Sequence, residues 1–449
     1  MIRPFQLRRL FFLFSSLMAA ALSSSTSWSD ANIIPGHFLG TARARVSKSQ
    51  VFTWARKNGV EAELIRGSDR LWEIRGPSSF RGERHVLESP FLELVQDAWL
   101  ETPRMDPPGS GLQSDWFVPN ETLFQSMIFT GLEKGSTLYP SEMKPGSNWA
   151  LERIHAPQAW IRRTSSDDVV VAVLDSGVDI THPDLKANLW VNPGEIAGNG
   201  IDDDQNGWAD DIHGYDSHYE KVEVQDEVGH GTYLAGIIGA VGNNGIGLSG
   251  VAWKTRLMVV RGDDHRRMSW TGAVKGAYYA RDNGAKVINA SWGTYSATIG
   301  LREMVRDMET SGVIVVNAVG NNSNNVDTQY RAYPAGYATS NLIVVTALHP
   351  NGGLVQYADY GEKYVHLAAP GWANPTTILG GSYGVQAGCS VAAPYVTGAV
   401  ALVWAEHPEW THQQVREQIL SAVDRIPSLA GKVASGGVLN LARALGIQD

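Results

Sequence analysis

Six short apolar runs, rich in β-branched residues, punctuate the chain at residues 168–174, 257–260, 287–290, 313–316, 342–345 and 365–368. The first contains Val169, Val170, Val171, Ala172 and Val173 without a polar break. A run of this kind suits a strand buried on both faces, in the middle of a parallel sheet. Helical patterns lie between several of the runs. Leu301, Val305 and Met308 share one helical face after Gly300. Thr411 and Gln414 have capping-box spacing and lead into Val415 and Ile419. Strands alternating with helices imply an α/β fold built on a doubly wound, mostly parallel sheet. In that architecture the active site lies at the carboxyl ends of the strands.

Those ends carry a specific set of residues. Asp175-Ser176-Gly177-Val178-Asp179 closes the first run, and Gly229-His230-Gly231-Thr232 opens a small, apolar helix. The run at 313–316 leads into Ala318-Val319-Gly320-Asn321-Asn322. Finally, Gly388-Cys389-Ser390-Val391-Ala392-Ala393-Pro394 begins a stretch that is apolar almost without break to Trp404. A helix apolar all round belongs in a core, and Pro394 is tolerable only near a helix start. Ser390 is therefore expected at the N-terminus of a buried helix, where unpaired N–H groups and the dipole favour negative charge. Taken alone, Ser390 reads as the N-cap of a core helix. The other strand ends change that reading. A serine hydroxyl is a weak nucleophile and needs a base. A histidine can take its proton and later return it. A buried carboxylate fixes the imidazole tautomer and stabilises the imidazolium. A side-chain amide and the Ser390 N–H can hold the oxyanion.

The order Asp, His, Ser, in the motifs D-S-G, H-G-T and G-x-S-x-A-A-P, resembles that of the subtilisin-like serine proteases (subtilases, peptidase family S8). The resemblance runs from about Trp149 to Gly446, roughly two thirds of the chain. It implies a subtilisin-like fold and a serine endopeptidase acting on polypeptides, with no cofactor for the chemistry. It implies Asp175 as the catalytic aspartate, His230 as general base, Ser390 as nucleophile and Asn321 as the oxyanion-hole amide. Ser291, Trp292 and Gly293 match the segment that pairs with the substrate backbone, and Gly320 matches the other wall of the primary pocket. Three positions depart from the family pattern. Tyr233 replaces a second histidine after H-G-T, Cys389 replaces a threonine before the nucleophile, and Tyr395 replaces a histidine after A-A-P. The tyrosines read as packing changes. Cys389 reads as a small buried hydrophobe, or else as a weaker donor beside the oxyanion site that opens the enzyme to thiol reagents.

The sequence ahead of this region divides in three. Residues 1–21 have the form of a signal peptide: basic Arg3, Arg8 and Arg9, an apolar run too short for a comfortable membrane span, and small residues at 19–21. Residues 22–105 read as a small α+β unit, resembling, much more weakly, an inhibitory propeptide. Its signs are a strand at 36–45, a capping box at Ser47 and a hairpin of 61–65 with 71–75. Residues 106–148 read as a linker or activation segment, and residues 149–449 as the catalytic domain. A secreted or periplasmic zymogen follows, processed to a monomer whose partners are polypeptide substrates and its own propeptide. No membrane span is expected in the mature protein, and no anchoring domain after the helix near 439–445.

Composition narrows the partners further. The formal net charge of −9 argues against nucleic acid. The single cysteine, Cys389, excludes an intramolecular disulfide. Five aspartates fall between Asp202 and Asp211. Asp202-x-Asp204-x-Asn206-Gly207 matches the opening of a calcium loop, although His213 stands where an EF-hand closes with glutamate. A structural Ca²⁺ held by Asp202, Asp204, Asn206 and Asp210 is expected, against the plainer reading of a solvated acidic loop. Two rival classes stand beside the protease: a binding module that no longer cleaves, and an esterase or peptide ligase on the same scaffold.

Overall fold

The structure is a computed structural model that describes residues 37–42, 46–76, 92–97, 148–263 and 268–447. The signal peptide expected at 1–21 and residues 106–147 of the expected activation segment lie outside the described residues.

Two sheets organise the chain. The first is a four-stranded antiparallel sheet of β1 (His37–Ala42), β2 (Glu61–Leu64), β3 (Leu71–Arg75) and β4 (Leu92–Asp97), ordered β2-β3-β1-β4. It carries one helix, Lys48–Lys57, whose capping box is formed by Ser47 and Gln50 as the sequence predicts. Val51, Trp54, Trp72 and Ile74 fill the small core between helix and sheet.

All six apolar runs become strands of the second sheet. Its members are β5 (Ser165–Asp175), β6 (Gly214–Asp216), β7 (Lys254–Arg261), β8 (Ala285–Ala290), β9 (Ile314–Ala318), β10 (Leu342–Leu348) and β11 (Leu367–Pro370), with β14 (Val423–Arg425) and β15 (Gly437–Leu439). The order is β6-β7-β5-β8-β9-β10-β11-β15-β14, parallel throughout except for β14 against β15. A separate hairpin joins β12 (Asn374–Ile378) to β13 (Ser382–Gln386). From β5 the chain moves outward to β6 and β7, then returns to lay β8 on the other side of β5. The ends of β5 and β8 therefore flank the point where strand order reverses, the place where α/β sheets bind ligands.

The helix Cys389–Glu406 runs through the core, and residues 389–405 are all buried. It alone among the described residues is long and apolar enough to cross a membrane, and its 94% burial marks it as a core helix. The helices Trp270–Asp282 and Ile299–Thr310 carry the N-terminal sheet on their outer faces. Leu39 packs so closely on Gly300 that a Cβ there would lie 2.9 Å from its Cδ1. Arg70 pairs with Glu303, and the buried Glu73 accepts from Lys275 Nζ at 2.5 Å. Leu39, Ile65 and Leu71 thus belong to the same core as the large sheet.

Candidate active site

Asp175 is the last residue of β5, and His230 is the first of the helix His230–Gly239. His230 Nδ1 lies 2.6 Å from Asp175 Oδ1, with both side chains buried. A carboxylate oxygen can only accept, so the imidazole proton sits on Nδ1 and Nε2 is left as the basic nitrogen. Ser176 N–H donates to the same oxygen at 2.8 Å, fixing the carboxylate. The helix must approach the strand end closely for this contact. A Cβ on Gly231 would lie 2.0 Å from the Gly177 carbonyl oxygen, so only glycine fits there. Asp226 ties down the start of the helix. Its Oδ1 accepts from the Val228 and Gly229 amides, and its Oδ2 from the Thr232 amide and hydroxyl. The sequence reading missed Asp226, although an acid just ahead of a helix start is a capping signal.

Ser390 is the second residue of the helix Cys389–Glu406. Pro394 has no N–H to give the Ser390 carbonyl; Ser291 Oγ donates to it instead, at 2.8 Å. Ser291 Oγ in turn accepts from Asn289 Nδ2, and Asn289 Oδ1 accepts from Thr397 Oγ1. The proline that marks the helix start in the sequence thus links the helix carrying Ser390 to the end of β8. Trp292 Nε1 donates to Leu174 O at 2.9 Å, joining that same end to β5. Asn317 Nδ2 donates to the carbonyls of Ala290 and Trp292 and holds the segment containing Ser291, Trp292 and Gly293.

Asn321 follows β9. Its Oδ1 accepts from the Cys389 amide at 2.9 Å, so its Nδ2 is turned the other way. That Nδ2 and Ser390 Oγ are buried and have no hydrogen-bond partner among the described residues. Buried polar atoms are normally satisfied; an amide donor and a hydroxyl left uncommitted in one place suit a group that arrives with the substrate. Gly320, before Asn321, has φ +136° and faces the Asp359 carboxylate and the Tyr295 hydroxyl.

Of the three departures, Tyr233 stacks edge-on to His230 at 4.8 Å, and Tyr395 is buried in the core. Cys389 is also fully buried, with Sγ 3.8 Å from Thr346 Oγ1. Burial, helped by the charge of Asp359, pushes its thiol up to about 12.

Together these residues form a buried His–Asp pair, a serine at a helix N-terminus and an amide donor beside it, at the carboxyl-end side of the central strands. The family model described as "Subtilase family" matches residues 166–446. The chain belongs to the subtilase family. This subtilase is 32% identical over 283 residues to "Subtilisin" of Bacillus pumilus, a match spanning 62% of this chain and 92% of the relative. It is 30% identical over 317 residues to "Subtilisin-like protease 1" of Plasmodium berghei, covering 66% of this chain and 53% of the relative. The subtilase thus spans about half the length of that relative. The crystal structure of fervidolysin from Fervidobacterium pennivorans, a keratinolytic enzyme related to subtilisin, matches its fold with a TM-score of 0.70 at 22% identity. That match covers 94% of this chain and 62% of fervidolysin.

The acidic loop lies apart from these residues. Asp202 and Asp204 come together with Glu195, their ligand atoms all within 4.8 Å of one another. Glu195 precedes the aspartate run and was missed by the sequence reading. Asp210 instead accepts from the amides of Gly198, Asn199 and Gly200. Asn206 Oδ1 accepts from the Trp208 amide, while its Nδ2 donates to Asp204 and Asp211.

Proposed function

We propose that this subtilase is an exported serine endopeptidase made as a zymogen. The observation that carries the reading is the 2.6 Å His230–Asp175 contact, taken with a Ser390 hydroxyl that is buried and uncommitted among the described residues. A peptide lies extended along Ser291, Trp292 and Gly293 as an added strand. His230 Nε2 takes the Ser390 proton as Oγ bonds to the scissile carbonyl carbon. The carbonyl electron pair moves onto oxygen, where Asn321 Nδ2 and the Ser390 N–H hold it. His230 returns the proton to the leaving amine as the C–N bond breaks, giving an ester on Ser390. Water, deprotonated by His230, then releases the acid. Asp175 keeps the proton on Nδ1 and stabilises the imidazolium that forms between these steps.

The N-terminal unit within residues 22–105 is its propeptide, and cleavage falls between about 105 and 148. Residues 1–21 direct the chain to the periplasm or the medium, where it acts on polypeptides as a monomer. The acidic loop holds a structural Ca²⁺. The donors support this, because oxygen-only carboxylates suit a hard cation, and Asp202 Oδ1 is buried without a hydrogen-bond partner among the described residues. Asp202 and Asp204 would be ligands with Glu195. Asn206 and Asp210 shape the loop through their backbone contacts, and no catalytic step uses the ion.

The test is to purify the wild type beside Ser390→Ala, determine each N-terminus by mass spectrometry and assay both on casein. The wild type should lose the region before about Trp149 and digest casein, while Ser390→Ala stays full length and inert. Identical N-termini and no cleavage by either protein would return the reading to a binding module.

A further inference from the structure

Asn321 can stabilise an oxyanion only if the segment carrying it is held still, and one buried side chain grips that segment on both flanks. Asp359 N–H donates to the Gly320 carbonyl at 2.9 Å, just before Asn321. Asp359 Oδ1 accepts from the Asn322 amide at 2.9 Å and the Asn324 amide at 2.8 Å, just after it. Its Oδ2 accepts from the Tyr295 hydroxyl, which also accepts from Asn322 Nδ2 at 2.7 Å. Tyr295 lies two residues beyond Gly293, so the carboxylate reaches the substrate-pairing segment as well. Thr346 Oγ1 donates to the Asp359 carbonyl at 2.6 Å and pins its backbone to β10. Gly320 completes the fit, because a Cβ there would lie 2.4 Å from Asp359 Oδ2.

A carboxylate fully buried with no cationic side chain beside it among the described residues is costly to keep. The three hydrogen bonds its oxygens accept all come from the two segments beside the oxyanion site. We infer that Asp359 is a positioning residue: it fixes Asn321 through the 320–324 backbone and couples that loop to the substrate-pairing segment through Tyr295. The inference rests on the protease reading for its effect on rate, but the clamp itself is a property of the fold. An asparagine at 359 would keep the clamp, since one amide oxygen can accept both backbone N–H groups while its NH₂ donates to the tyrosine oxygen. An alanine would release it.

The experiment measures kcat and KM on one soluble peptide for the wild type, Asp359→Ala, Asp359→Asn, Asn321→Ala and the double variant Asp359→Ala/Asn321→Ala. Misplacement of a donor by about 1 Å costs up to roughly 10²-fold. Asp359→Ala should therefore lower kcat by about 10- to 100-fold with KM changed less than about threefold. Asp359→Asn should recover most of that loss. In the Asn321→Ala background, Asp359→Ala should cost little more, because the group it positions is already gone. Full-length chains carrying Ser390→Ala, which need no activity, supply a second readout: hydrogen exchange at Asn322 and Asn324 should quicken with Asp359→Ala and not with Asp359→Asn. Equal losses in both backgrounds, no recovery by asparagine, or unchanged exchange would each overturn the inference. A wild type that cleaves nothing would overturn the protease reading instead, and the exchange arm would still decide the clamp.

Discussion

The amide of Asn321 has its oxygen committed to Cys389 N–H and its nitrogen without a hydrogen-bond partner among the described residues, and the proposed mechanism assigns that nitrogen to the oxyanion. Replacing it with alanine removes a donor that acts only once the tetrahedral oxyanion forms, so the loss belongs in kcat and not in KM. Asn321→Ala is expected to lower kcat by roughly 10²–10³ at nearly constant KM, the magnitude known for the matching donor in subtilisin itself. A rise in KM with kcat unchanged would place Asn321 in ground-state binding. Cys389 gives an opposite expectation. The reactive species is the thiolate, and a thiol pushed up to about 12 holds almost none of it at pH 8. Iodoacetamide should therefore leave the native enzyme active and Cys389 unmodified by mass spectrometry, with labelling only after unfolding. Rapid labelling with loss of activity would show that the thiol is reachable. The four residues to which the chemistry is assigned in the proposed mechanism were legible because each stands near a glycine at the end of a strand or the start of a helix. Asp226, Asn289 and Asp359 were not, because their partners are distant in sequence and nothing local distinguishes them from surface polar residues.

Among the elements, six apolar runs and two capping boxes were readable, since a doubly buried strand needs an unbroken apolar run and a cap needs a fixed spacing. Boundaries moved where packing decided them: the run at 365–368 becomes β11 at Leu367–Pro370. The strands β6, β12, β13, β14 and β15 were not readable, being only three to five residues long and in part polar. The helix His230–Gly239 illustrates what an element must do for a site. It starts with Gly229 at N-cap, which has no side chain to satisfy the first amides. Asp226 supplies those bonds from outside the helix. Asp226→Ala strips three backbone amides and the Thr232 hydroxyl of their acceptor, at a cost of about 1–2 kcal/mol or more. It should lower the Tm and, by loosening His230, lower kcat as well. Wild-type kcat in a protein that merely melts earlier would separate the cap from the base it carries. The acidic loop is a second such element. Calcium at about 100 times its Kd would add roughly 2.7 kcal/mol. Chelation should then lower the Tm of the wild type and leave Asp202→Asn/Asp204→Asn unmoved; equal melting with and without chelator would remove the ion from the loop.

On the scale of the whole molecule, the question is what keeps the N-terminal unit seated on the large domain. Apolar contact comes from Leu39, Ile65 and Leu71. Specificity comes from charge: Glu73 is buried against Lys275 and Arg75, and Lys275 also pairs with Glu220. Burial alone would push the Glu73 carboxyl up, but the attraction and hydrogen bonds of Lys275 and Arg75 outweigh it and hold the carboxyl below its ordinary value. The sign of the linkage follows. A carboxyl whose value is lowered on docking contributes stability that is fully present above its undocked value, about 4.3, and is lost as pH falls through the docked one. Acid therefore loosens this contact and neutral pH keeps it. In full-length chains carrying Ser390→Ala, Glu73→Gln should reduce stability at pH 7 by about 1.5–3 kcal/mol, the worth of hydrogen bonds to a charged group. As pH falls through the lowered value of the docked carboxyl, the wild-type group becomes protonated, the two proteins become alike, and the difference should shrink. Chemical denaturation at pH 7 and in acid reads this directly. A penalty of equal size at pH 7 and in acid would mean that Glu73 contributes by its shape and not by its charge, and the docking of the N-terminal unit would then rest on its apolar face.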